Sequence, residues 1–76
     1  MNAEARLLAG EVQLERGNFD DAGKAFKGVA LLYDDPAITP RALDKAAGAY
    51  RQAGKTEEAD QLSRELHQRY PNYAGG

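Results

Sequence analysis

The sequence predicts an all-α fold of two antiparallel helical hairpins, four helices in total. Three observations carry that reading. The chain repeats itself: Gly17-Asn18-Phe19-Asp20-Asp21-Ala22 returns as Gly54-Lys55-Thr56-Glu57-Glu58-Ala59. Gly17 and Gly54, Ala22 and Ala59, Val29 and Leu66, Tyr33 and Tyr70 are each 37 residues apart. A period of this size marks a helical repeat, in which each unit buries its apolar face by stacking on a neighbour. Second, no segment alternates apolar and polar residues with period two over a useful length. Third, the connections at Gly17-Asn18 and Gly54-Lys55 are very short, and short connections force antiparallel neighbours.

Each element follows from local signals. Helix one is expected from about Ala3 to Arg16, stopped by Gly17. Helix two starts after Asn18, whose side chain is expected to cap it, with Asp20 and Asp21 in the favourable first turn. It runs to about Tyr33. Asp34-Asp35-Pro36-Ala37-Ile38 reads as a connection, because Pro36 excludes Asp35 from the helical region. Helix three opens with Thr39 as cap and Pro40 at the first helical position, and ends near Gly54. Helix four is expected to be capped by Thr56, carries Glu57 and Glu58 in its first turn, and stops before Pro71. Asn72 to Gly76 reads as a frayed end. The domain thus covers residues 1–73, with repeats at about 3–36 and 37–73 and a flexible tail at 74–76.

At 76 residues this is one small domain of marginal stability. It has no cysteine, so neither a disulfide nor a thiolate metal site is available. Net charge is −2 with mixed signs, which lacks the basic face of a nucleic-acid binder. No apolar run approaches the ~18–20 residues that span a bilayer. Met1-Asn2-Ala3-Glu4 opens directly into helical sequence, without the pattern of a secretory leader. The length and the Gly75-Gly76 end coincide with those of ubiquitin, but that fold needs strands this chain does not encode.

The repeats resemble the tetratricopeptide repeat (TPR), whose pattern is W-x2-L-G-x2-Y, then A-x3-F, then P. The second unit reads Leu43-x2-Ala46-Ala47-x2-Tyr50, then Ala59-x3-Ser63, then Pro71. The first reads Gly10, Gly17, Phe19, Ala22-x3-Phe26. Its helix one departs from the pattern, with Arg6, Ala9 and Gln13 at the bulky positions. Two stripes compete there: Ala5, Leu8, Ala9 and Val12, or Ala3, Leu7, Gly10 and Leu14. The resemblance implies a right-handed α-solenoid fragment and a non-catalytic, protein-binding role. Phe26-x2-Val29-x3-Tyr33 and Leu66-x3-Tyr70-Pro71 are also similar to repeats of bacterial cell-envelope proteins, such as the Tol–Pal accessory protein and the outer-membrane assembly lipoprotein. That likeness implies a larger assembly or envelope protein and tilts the compartment towards the periplasm over the cytoplasm.

In this family the first helix of each hairpin lines a concave groove that holds a peptide. The resemblance places Glu4, Leu7, Glu11, Leu14 and Glu15 from unit one in that groove. Unit two contributes Arg41, Asp44, Gly48, Arg51 and Gln52. One subclass grips a carboxylate terminus with a Lys/Asn/Arg clamp. Its first two positions are Leu7 and Glu11 here, and a glutamate repels a carboxylate. The expected partner is therefore another protein or peptide, a second copy of the chain, or upstream repeats. Nucleic acid, membrane insertion and cofactors are not expected. No catalytic or metal-binding set is recognisable. The lone His67 reads as a surface residue on helix four. Asp20, Asp21, Asp34 and Asp35 lack calcium-loop spacing and read as cap and turn residues. Helix four, with Asp60, Arg64, His67 and Arg69 opposite its narrow apolar stripe, reads as a terminal helix. Leu7 and Leu14 are expected to carry surplus apolar surface on helix one.

Overall fold

Helical propensity is punctuated here by two glycines and one proline-containing loop, and the chain breaks at those places. The computed structural model describes residues 2–73. It contains α1 (Ala3–Glu15), α2 (Phe19–Leu32), α3 (Thr39–Gln52) and α4 (Thr56–Arg69). Every helix end falls within two residues of its expected position. The proposed tail at 74–76 lies outside the described residues.

The two hairpin turns are copies of each other. Gly17 and Gly54 adopt φ +78° and +81°, the left-handed conformation that a side chain disfavours. In the first turn the Asn18 amide donates to the Gln13 carbonyl at 2.9 Å. In the second, the Lys55 amide donates to the Tyr50 carbonyl at 2.8 Å. Both bonds satisfy carbonyls that the helix ends would otherwise orphan.

The caps differ from the sequence reading. Asn18 makes no side-chain cap; its amide donates instead to the Gln13 side chain at 2.8 Å. Thr56 is the first helical residue of α4, preceded by Lys55 at the cap position. Thr39 is likewise already helical, with Ile38 as the cap residue. Its hydroxyl does another job. It donates to the Tyr33 carbonyl and accepts from the Asp35 amide, bridging the end of α2 to the start of α3. Asp35 completes the turn by accepting from the Ala37 amide at 2.8 Å. The cap the sequence did not reveal is Asn2, which accepts from the Ala5 amide at 2.8 Å. Beyond α4 the chain turns at Pro71-Asn72 and comes back onto the core at Tyr73. The Tyr73 amide donates to the Tyr70 carbonyl, and the Tyr73 ring packs against the core.

The helices stack in chain order, α1 on α2, α2 on α3 and α3 on α4, forming a slab 19 Å thick. The core runs through Leu7, Phe26, Val29, Leu43, Tyr50, Leu62 and Leu66, with alanines filling the spaces between helices. Phe26 is fully buried and stands where the two hairpins meet. Small residues allow the close approach: a Cβ on Gly10 would sit 2.6 Å from the Phe26 ring, and one on Gly23 would sit 2.8 Å from the Tyr50 ring.

Gly10 also settles which stripe of α1 faces inward. Only a residue without a side chain can lie under the Phe26 ring, so the Ala3-Leu7-Gly10-Leu14 stripe turns to the core. Leu7 is 3% exposed and Leu14 is half-buried against the core. The expectation of surplus surface at these two leucines is thereby corrected. Among the described residues, the large apolar side chains that are exposed are Leu8, Val12, Leu31 and Leu32. On α4, Asp60, Arg64, His67 and Arg69 are exposed, and the helix packs chiefly on α3.

Candidate protein-binding surface

The site begins with helix spacing. Glu4 and Glu11 lie two turns apart on one flank of α1, and Arg41 and Lys45 lie one turn apart on α3. Stacking of the hairpins turns these flanks toward each other. Arg41 Nη1 reaches Glu4 Oε1 at 3.7 Å, and Lys45 Nζ reaches Glu11 Oε1 at 2.7 Å. The Lys45 ammonium also lies 5.9 Å from the centroid of the Phe26 ring, a cation–π distance. A ladder of two ion pairs therefore crosses from the first repeat to the second.

The other expected groove residues divide. Leu7 is core, so it cannot touch a ligand, and the sequence expectation for it is corrected. Leu14 offers only a partial surface. Glu15 and Arg41 are exposed, while Asp44 and Gly48 are half-buried. A Cβ added at Gly48 would meet nothing within 4 Å, so the surface is open there. Arg51 is drawn away toward α4, where it donates to Ser63 Oγ at 3.0 Å and pairs with Asp60 at 3.7 Å. Lys45 was missed, because by repeat register it falls just outside the groove positions. Its place one turn beyond Arg41, on the same face of α3, was the available signal.

A second polar cluster ties the start of α2 to the α3–α4 turn. Lys55 donates to Asp20, which also pairs with Lys24 at 3.3 Å. The Lys55 hydrogen bond holds the Asp20 carboxyl below its usual range, and Asp20 in turn raises Lys55. Lys55 lies 6.0 Å from the Tyr50 ring centroid, and burial raises the Tyr50 phenol. At the other end of the hairpins, Pro36, Pro40, Tyr70, Pro71 and Tyr73 with Arg69 wall a pocket of about 320 Å³. Arg69 is already engaged by Glu65 and Asp34.

No set of three His, Cys, Asp or Glu side chains converges to hold a metal among the described residues. None of their helices is long and apolar enough to cross a membrane. What this arrangement can do chemically is present paired charges over a packed base. The family model for the tetratricopeptide repeat matches the chain twice, over residues 4–35 and 41–73. No curated protein and no solved structure is significantly similar to it.

Proposed function

Because the chain belongs to the tetratricopeptide-repeat family, a family of interaction scaffolds rather than enzymes, we propose that it is a non-catalytic protein-binding module. It serves as the C-terminal TPR portion of a larger assembly or envelope protein, and holds a peptide or protein on the surface shared by α1 and α3. The single observation that carries this is the cross-repeat ladder, Glu4 with Arg41 and Glu11 with Lys45. All four side chains remain substantially exposed. Exposed pairs contribute under about 1 kcal/mol each. A ligand carrying both charges can therefore exchange its own carboxylate and ammonium groups into the ladder at little net cost. Glu15, Asp44 and the open backbone at Gly48 extend the same surface. The envelope reading is supported by the Tyr33 and Tyr70-Pro71 helix ends and by the lengthened connection at Asp34–Ile38.

The test is site-specific photocrosslinking in extract of the native host. A crosslinker at Gly48 should capture a discrete partner, and the double reversal Glu11→Lys/Arg41→Glu should abolish capture. Equal capture from a crosslinker at Gln61, on the outer face of α4, would refute the surface. A second reading, homodimerisation through α1, is favoured by the exposure of Leu8 and Val12 rather than by Leu7 and Leu14. Sedimentation across a concentration range decides it.

A further inference from the structure

The three prolines of the chain, Pro36, Pro40 and Pro71, all line one cavity of about 320 Å³. It lies where the α2–α3 connection meets the end of α4. Pro71 ends α4 by excluding Tyr70 from the helical region. The Tyr73 amide then donates to the Tyr70 carbonyl at 3.0 Å, and this turn sets both rings into the wall. None of the lining residues belongs to the surface shared by α1 and α3. The repeat shows that the cavity is particular to this place. Shifting back by 37 residues takes Pro40, Arg69, Pro71 and Tyr73 to Ala3, Leu32, Asp34 and Pro36. The first hairpin therefore carries no matching set.

We propose that this cavity is a second binding site, whose occupant is a short cationic, proline-rich segment of another protein held in the polyproline II conformation. Size, lining and charge select that occupant. An α-helix is about 10–12 Å across with its side chains, too thick for a cavity at the lower end of the ~300–1,000 Å³ range of ligand sites. A polyproline II segment is slender, makes no internal hydrogen bonds and is largely ordered before it binds. Such segments dock in aromatic-lined grooves. Tyr70 and Tyr73 are each partly exposed and supply the rings, on a frame that the prolines stiffen. Asn72 and the tyrosine hydroxyls give the wall donors that suit the ligand's free carbonyls. Arg69 decides the charge. Its guanidinium is already matched by Glu65 at 2.9 Å and Asp34 at 3.4 Å, and stands 5.4 Å from the Tyr70 ring centroid. It has little left to offer an anion. The Asp34 side chain is 91% exposed, and Asp35, also exposed, adjoins Pro36. Arg41, beside Pro40, is taken by Glu4. The rim is thus acidic in balance, and it meets arginines that flank the prolines of the ligand.

The experiment titrates the full chain with a fluorescein-labelled peptide of repeated Arg-Pro-Pro triplets. Anisotropy gives the affinity, and amide shifts in two-dimensional NMR locate the contact. The shifts should gather at Ala37, Ile38, Arg69, Tyr70, Asn72 and Tyr73. Peptides with alanine in place of proline, or glutamate in place of arginine, should bind on the order of tenfold more weakly. These changes leave the protein intact, so no loss can be ascribed to unfolding. Asp34→Lys, at an exposed side chain, should weaken binding to a similar degree with an unchanged melting curve. Absence of binding, equal binding of the alanine peptide, or indifference to Asp34→Lys overturns the proposal. Tighter binding of the glutamate peptide overturns it in favour of an anion site at Arg69. Shifts gathered at Glu11, Lys45 and Gly48 overturn it by assigning the peptide to the surface between α1 and α3. Crosslinking at Gly48 judges that surface independently, so the two readings can fail separately.

Discussion

Four glycines lie within helices, and the structure gives their substitution by alanine opposite signs. In a helix interior, Gly→Ala is worth about 1 kcal/mol through backbone entropy alone. At Gly28 the added Cβ meets nothing within 4 Å, so that gain should appear in full. At Gly10 the same atom falls 2.6, 2.8 and 2.9 Å from three atoms of the Phe26 ring. At Gly23 it falls 2.8, 2.9 and 3.0 Å from the Tyr50 ring. Neither ring has room to retreat, for Phe26 is fully buried and Tyr50 is 5% exposed. Overpacking of this kind costs about 1–3 kcal/mol, which exceeds or cancels the entropic gain. Urea unfolding followed by far-ultraviolet circular dichroism reads the result. With a slope near 1 kcal/mol per molar urea for a chain this small, Gly28→Ala should raise the midpoint by about 1 M. Gly10→Ala and Gly23→Ala should lower it, by up to about 2 M after the propensity gain is subtracted. If all three raise the midpoint together, the helices do not approach each other as described, and the argument for which stripe of α1 faces inward fails with it.

Other outcomes follow from the core, the α2–α3 connection and the surface. Phe26→Ala should cost about 3–5 kcal/mol, comparable with the whole stability of a domain this size; a melting curve with native cooperativity would show that Phe26 is not the keystone. Thr39→Val keeps the shape but leaves the Tyr33 carbonyl and the Asp35 amide without their shared hydroxyl, a loss of about 1–3 kcal/mol, whereas Thr39→Ser should retain most of the stability; equal stability of both variants would remove the hydroxyl bridge. Asp20 is held below its ordinary range by Lys55, so its contribution is complete above about pH 5 and is lost as pH falls through the depressed value. Lys55 is raised by Asp20, so its share is present below its ordinary range and is lost only as pH rises through the raised value. Asp20→Asn should therefore flatten the acid limb of the stability profile, and an Asp20 carboxyl that titrates by NMR at the ordinary value would contradict the pairing.

The fold was legible because the determinants of a helical hairpin are local. Gly17 and Gly54 announce the turns, Pro36 and Pro40 bracket the connection, and Phe26 and Tyr50 occupy periodic apolar positions. Less legible were features that depend on a residue distant in sequence. The two stripes of α1 are similar in apolar content, and only the fit of Gly10 under the Phe26 ring distinguishes them. Leu7 was placed in the groove for the same reason: repeat register describes an average helix one, and this α1 turns a different stripe inward. The side chains of the polar residues at helix starts suit them to be caps. Asn18 and Thr39 found better partners in Gln13 and the Tyr33 carbonyl, which only the assembled loops supply. Of the candidate surface, Glu4, Glu11 and Arg41 were identified, while Lys45 emerged only once α1 and α3 lay side by side.

The order of stacking has a consequence for how the molecule comes apart. Each helix packs mainly on the helices next to it in the chain, so opening can begin at either end without disturbing the middle. Helices α2 and α3 each have two neighbours and are joined by the Thr39 hydroxyl, so they form the last unit to lose its amides to solvent exchange. The ladder from Glu4 and Glu11 to Arg41 and Lys45 spans a terminal helix, free to open early, and a central one that opens last. A ligand grasping both sides of it would clamp α1 to the centre. Binding would then register as slowed exchange along α1, far beyond the residues it touches.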